Sequence, residues 1–378
     1  MNSIKTFVIY FTFFVLNVEA KVDPNFHLYL LLGQSNMCGD CNRPYDSLAA
    51  LDFQETDCDT TERIKVLAFQ TCSMQVSSPC KNFVLDREEG KWYTAFPPYH
   101  KCDEGVGPAD YFGKVLLDSI KGNISIGFIP CALGGHSIDV FVKGSSTKPE
   151  IWAHDNIKDH AYGWMVSRCK FAQGSGVIKG ILFHQGENDN GDTLWIDKVK
   201  SIFDNLKKDL NLNSNMPIII GEPLQDTGAC CTLHVPLVKK LASEYPNCGL
   251  VSSKGLKKKE IEIWPPVDAY EGWGAHFNCA GYRELGRRYA FEFLRMVDNN
   301  YIPRKRNMTL NGTKRVRPLS IINEHSWKRG FNIFTLSGRF ITSVDSLASL
   351  NLWRDRFRGK LYIAYNKFMK NGKFLIIP

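Results

Sequence analysis

The chain has 378 residues, 44% of them hydrophobic and 23% charged, which is enough apolar material for a sizeable core and excludes a disordered tail protein. The length suits one large domain with a smaller addition. A formal net charge of +8 conceals two unlike parts: residues 298–378 carry 16 Lys and Arg against 4 Asp and Glu, a balance of +12, and residues 1–20 are balanced, which leaves −4 for residues 21–297.

The chain opens with MNSIKTFVIYFTFFVLNVEA, one Lys followed by a short apolar run and a small residue. This reads as a signal peptide over residues 1–20, with the mature chain beginning near Lys21. The expected location is therefore outside the cell or in the lysosomal and endomembrane lumen. The run is short for a spanning helix and no later segment has the length and apolarity of one, so no membrane span is expected. All twelve cysteines follow it, six of them (Cys38, Cys41, Cys58, Cys72, Cys80 and Cys102) in one polar stretch. In an oxidising compartment they read as structural bridges stapling a long excursion, not as redox or zinc motifs. Sequons at Asn123, Asn307 and Asn311 fit the same route.

Along the mature chain, short apolar runs alternate with helical periodicity. HLYLLLG (27–33), ISIGFIP (124–130), VIKGILF (177–183), MPIIIGE (216–222) and CGLVSS (248–253) read as buried strands. PADYFGKVLLDSI after Gly107, the stripe Trp195, Val199, Ile202, Phe203, Leu206 and Leu210, and CAGYRELGRRYAFEFLRMV read as helices. This order predicts an α/β fold, a three-layer α/β/α sandwich around a mostly parallel sheet, over residues 21–297. Residues 298–378 hold no cysteine and contain β-like runs (FNIFTLSGRFITSV, GKLYIAYN, GKFLIIP) that permit a small β module. Their basic charge reads as a solvated face. With no stacking module or groove-reading motif in a secreted chain, nucleic acid is not the expected partner.

In parallel sheets, ligands bind at the carboxyl ends of strands, and three such ends are polar and glycine-bearing: Gly33-Gln34-Ser35-Asn36-Met37, Cys131 to Ser137, and His184 to Asp189. Ser35 sits in a tight turn suited to present a nucleophile, although Met37 occupies the second glycine position of the GxSxG elbow. Gly134, Gly135 and Gln185 offer backbone and amide donors for the oxyanion formed when an ester carbonyl is attacked.

The blocks GQSNM, CALGGHSI, HQGEND and HFNCAGYRELGRRYA, in this order across residues 27–297, resemble those of carbohydrate acetylesterases of the SGNH hydrolase superfamily, of the sialate O-acetylesterase and carbohydrate esterase family 6 type. The resemblance implies a flavodoxin-like fold and a serine esterase working through an acetyl-enzyme. Ser35 is implied as the nucleophile, whose own amide joins Gly135, Gly134 and Gln185 in the oxyanion hole, and His276 as the general base. Gln34, His136 and Glu187 are expected to line the substrate pocket. A neutral imidazole can take the serine proton and return it to the leaving sugar alcohol, so the role of His276 also stands on ordinary chemistry.

One position departs from the pattern. The group commonly places an aspartate three residues before the histidine, where this chain has Trp273. Glu271 in the same loop is the expected orienting carboxylate, with Asp268 as the alternative. Glu187 and Asp189 are too close in sequence to assign as a glycosidase pair, and read as carboxylates that hold the Gln185 loop. No metal cluster is evident and no cofactor is required. The expected function is a secreted serine esterase acting on O-acetylated carbohydrate or sialoglycan, sialic acids first. The competing reading, motivated by Trp273 and the basic tail, is a glycan-binding pseudoenzyme on the same fold.

Overall fold

Alternation along the apolar runs decides which layer each side chain enters. The computed structural model describes residues 22–41, 54–75, 84–120, 122–149, 157, 160–259, 261–264, 267–271, 274–298, 331–335, 340–344, 362–366 and 374–377. Its elements are β1 (Phe26–Gly33), α1 (Ser35–Cys38), β2 (Ile64–Leu67), β3 (Cys72–Gln75), β4 (Val84–Arg87), β5 (Trp92–Thr94), α2 (Pro108–Ser119), β6 (Ser125–Pro130) and α3 (Ala161–Gln173). There follow β7 (Val177–His184), α4 (Trp195–Asp209), β8 (Ile218–Gly221), α5 (Val235–Glu244), β9 (Cys248–Val251), β10 (Ile261–Trp264), β11 (Val267–Glu271) and α6 (Cys279–Val297).

Seven strands form one sheet in the order β5-β2-β6-β1-β7-β8-β9. Every neighbouring pair is parallel except β2 with the edge strand β5. In β1, Leu28, Leu30 and Leu32 enter a core shared with Met165 of α3, Val199 and Phe203 of α4, and Leu241 of α5. Tyr29 and Leu31 enter the opposite core with Phe112 and Leu116 of α2 and Tyr282, Tyr289 and Phe293 of α6. Burial of both faces explains why the strands read as continuous apolar runs. The expected three-layer α/β/α sandwich is the fold observed.

Some elements lie outside that reading. β2 and β5 come from the cysteine-rich stretch expected to be a stapled excursion, yet they extend the central sheet; IKVL is too short to stand out among polar neighbours. α3 buries Arg168, which donates to the carbonyls of Leu67 and Ala68, each at 3.1 Å, so it lacks a clean apolar stripe. Bridges join Cys41 to Cys279, Cys72 to Cys102 and Cys230 to Cys231. Cys38, Cys131, Cys169 and Cys248 are thiols.

In the tail, β12 (Phe331–Thr335), β13 (Phe340–Val344), β14 (Tyr362–Asn366) and β15 (Phe374–Ile377) form an antiparallel sheet in the order β13-β12-β14-β15. The signal segment and the sequons at Asn307 and Asn311 lie outside the described residues; Asn123 is exposed. Among the described residues no helix is long and apolar enough to cross a membrane.

The long helix α6 is anchored by a buried ion pair. Arg283 donates from Nε to Asp57 Oδ1 at 2.8 Å and from Nη2 to Oδ2 at 2.6 Å, and Tyr111 donates its hydroxyl to Oδ1 at 2.8 Å. Asp57→Ala takes the paired carboxylate away from a buried guanidinium and is expected to cost about 3–5 kcal/mol in urea unfolding. The double variant Asp57→Ala/Arg283→Met should recover part of that loss, because the uncompensated charge is gone.

Candidate active site

Three strand ends converge on Ser35. β1 stops at Gly33, whose φ is +137° and where an added Cβ would sit 1.9 Å from the carbonyl oxygen of His184; only glycine lets the ends of β1 and β7 approach so closely. Gln34 N–H then donates to that carbonyl at 3.0 Å, and Ser35 begins α1. A helix start leaves its first amides without intrahelical partners, and Ser35 holds the first position of α1. Gly134, just beyond β6, lies against the nucleophile: a Cβ built on it would be 3.7 Å from Ser35 Cβ. Gly135 follows with φ +74°.

His276 reaches this point from 241 positions later in the chain, with Nε2 2.9 Å from Ser35 Oγ. Its backbone is pinned: Lys259 N–H donates to His276 O at 2.9 Å, Asn278 N–H donates to Lys257 O at 2.9 Å, and Asn278 caps α6 by accepting from Gly281 N–H at 2.8 Å. The side chain of Asn36 couples both segments. Its Nδ2 donates to Ala275 O at 2.9 Å and to Glu187 Oε1 at 2.5 Å, and its Oδ1 accepts from Tyr282 OH at 2.8 Å.

The other face of the imidazole meets a carboxylate absent from the sequence reading. Asp40 Oδ2 is 3.7 Å from His276 Nδ1 and accepts from Lys259 Nζ at 2.8 Å. The expected orienting residue, Glu271, ends β11 opposite Ile261 of β10; its side chain, that of Asp268 and residue Trp273 lie outside the described residues. Asp40 was legible only as the acid inside the Cys38-Gly-Asp-Cys41 spacing, which drew attention to the cysteines instead.

Gln185 does not supply the oxyanion donor expected of it. Its two Nε2 hydrogens go to Gln34 Oε1, at 3.3 Å, and to Asp189 Oδ2, and its Oε1 accepts from the Trp195 indole. A fully buried amide with both hydrogens committed has none left for an oxyanion. Gln34, expected to contact substrate, is buried and sets this network, its Oε1 also accepting from Asn188 N–H at 3.2 Å. His136 lies with Nδ1 2.7 Å from Gly134 O, bracing the glycine turn.

The two carboxylates of the HQGEND block hold loops, as expected for the pair, but Glu187 is turned away from the pocket role. It lies between Asn36 and His184 Nε2, the latter at 3.4 Å. Asp189 accepts from Ile138 N–H at 2.9 Å as well as from Gln185. Burial pushes the Asp189 carboxyl up against these donors. Burial also pushes Glu187 up, but the His184 hydrogen bond and charge and the Asn36 amide prevail and hold it below the ordinary range.

The family model for carbohydrate esterases described as sialic acid-specific acetylesterases matches residues 25–295. The chain belongs to this family. It is a carboxylic ester hydrolase of the carbohydrate esterase type. A probable carbohydrate esterase of Arabidopsis thaliana is 26% identical over 265 residues, which cover 67% of this chain and 88% of that protein. The crystal structure of an Arabidopsis thaliana protein has the same fold, with a TM-score of 0.51 and 22% identity over 74% of this chain and all of its own. The crystal structure of NanS aligns over 73% of this chain and 99% of that one, with a TM-score of 0.47 and 17% identity.

The depressed Glu187 carboxyl carries a stability signature. A group whose folded pKa lies below its unfolded value, about 4.3 for Glu, contributes fully above that value and loses its contribution as pH falls through the folded one. Glu187→Gln should therefore be less stable than the unaltered chain near pH 7. The gap should close below about pH 4, as read by urea unfolding at a series of pH values.

Proposed function

We propose that the chain is a secreted serine esterase that removes O-acetyl groups from sugars, with sialic acids as the first substrate class. The observation that carries the mechanism is the 2.9 Å approach of His276 Nε2 to Ser35 Oγ. His276 takes the hydroxyl proton as Ser35 attacks the acetyl carbonyl. The oxyanion is met by the Ser35, Gly134 and Gly135 amides, His276 returns the proton to the departing sugar hydroxyl, and water hydrolyses the acetyl-enzyme by the same steps reversed. Asp40 orients the ring and stabilises the imidazolium from its Nδ1 side. Lys259 shares the carboxylate, so Asp40 is braced but its field is partly offset.

Family membership supports an esterase on carbohydrate, and the amino-terminal signal-like segment with several disulfides supports the secretory route. The glycan-binding alternative draws on Trp273 and on the basic tail; the Asp40 carboxylate beside His276 speaks against the first of these grounds.

The test is acetate release from O-acetylated sialic acid, acetylated xylan and an aryl acetate by the purified secreted chain. Ser35→Ala and His276→Ala should abolish turnover with folding intact. Asp40→Asn should lower kcat by about 10- to 100-fold, less than the ~10⁴-fold seen when a serine protease loses its orienting Asp, because Lys259 already offsets the charge. Glu271→Gln should change little. A large loss in Glu271→Gln with Asp40→Asn unaffected would transfer the orienting role to Glu271. No release from any of the three esters would sink the esterase reading.

A further inference from the structure

Near the Gly134 turn, where an added Cβ would lie 3.9 Å from Glu104 Oε1, is a second cluster that the ester chemistry does not use. The sulfur of Cys38, a ring nitrogen of His100 and a carboxylate oxygen of Glu104 lie within 4.8 Å of one another, and all three residues are buried. We propose that these side chains bind a divalent cation of the zinc class, which fastens the end of α1 to the 100–104 turn.

The donor set selects the metal. A thiolate, an imidazole and a carboxylate suit a borderline-soft ion, whereas calcium and magnesium take oxygen ligands. Charge argues the same way in a buried place: a dication with one thiolate and one carboxylate sums to zero, so ion and ligands together avoid the cost of burying isolated charges. On binding, the Cys38 thiol yields its proton to solvent as the sulfur–metal bond forms, the imidazole binds neutral, and a solvent molecule completes four-coordination.

The frame that holds the donors is built independently of them. Val106 N–H donates to Cys41 O at 2.6 Å and Gly105 N–H to Gly39 O at 3.0 Å. The segments run so close that a Cβ on Gly105 would sit 1.8 Å from Cys41 O. The Cys41–Cys279 bridge begins three residues after Cys38, and the Cys72–Cys102 bridge is anchored midway between His100 and Glu104. Glu104 is itself oriented, its Oε2 accepting from Lys101 N–H at 2.9 Å, the kind of outer contact that fixes a metal-binding carboxylate. The Phe69 ring, 5.9 Å from that of His100, closes one side with apolar surface.

The test uses the full secreted chain, loaded with zinc, desalted and analysed by elemental mass spectrometry. About one zinc per chain is expected, falling below about 0.1 in Cys38→Ser and His100→Ala, with Cys248→Ser retaining it. Cobalt in place of zinc should give a thiolate-to-metal charge-transfer band that Cys38→Ser lacks. Should either variant fail to fold, the unaltered chain decides: zinc must slow alkylation of Cys38, and chelation must lower the melting temperature reversibly. The proposal is overturned if the loaded chain holds no zinc above background, if Cys38 alkylates equally with and without it, or if peptide mapping finds Cys38 in a disulfide.

Discussion

The site depends on keeping two segments 240 residues apart in the chain within one hydrogen bond of each other. Residues 35–41 carry the serine and residues 275–279 the histidine, and two hydrogen bonds and a disulfide hold them together. Asn36 donates to Ala275 O, the Cys41–Cys279 bridge closes the other end, and Tyr282 of α6 donates to Asn36. The Ser35–His276 distance is thus fixed by groups that take no part in proton transfer. A displacement of about 1 Å costs a large factor in rate when reacting groups must be pre-aligned.

That arrangement gives the buried polar residues a common purpose. Glu187, Asn36 and His184 form one connected set at the ends of β1 and β7, and Gln34, Gln185, Asp189 and Trp195 form another. Each would be costly if left half-satisfied in a low-dielectric interior. Linked in this way, each set ties the loops above the sheet to one another. The motif residues that looked like substrate contacts, Gln34 and Glu187, belong to these scaffolds. Ser35, Gly134 and His276 are left at the reacting centre.

The fold was legible because burial on both faces writes strands as apolar runs and helices as stripes, as in HLYLLLG and the Trp195 to Leu206 pattern. β2 was not legible, being four residues in a polar, cysteine-rich stretch, nor was α3, whose buried face includes Arg168. At the site, Ser35 and His276 stood out by residue type and block. The direction of an amide did not: nothing in HQGEND says that both Gln185 hydrogens turn inward, because that is decided by Trp195 ten residues on and by Gln34 just past the end of β1.

Asp40 shows the same limit from the other side. The family pattern places an orienting acid just before the histidine, where this chain has Trp273, but electrostatics asks only for a carboxylate facing Nδ1. Five residues after the nucleophile, Asp40 lies just past the end of α1 and one residue before Cys41, whose bridge to Cys279 ties this segment to that of the histidine. The bridge that aligns serine with histidine therefore also brings Asp40 to the imidazole, and the pairing of residues 257–259 with 276–278 delivers Lys259 to hold that carboxylate in place. In the proposed mechanism the acid and nucleophile share one short segment, so the bonds that hold this segment to residues 275–279 position both against the histidine.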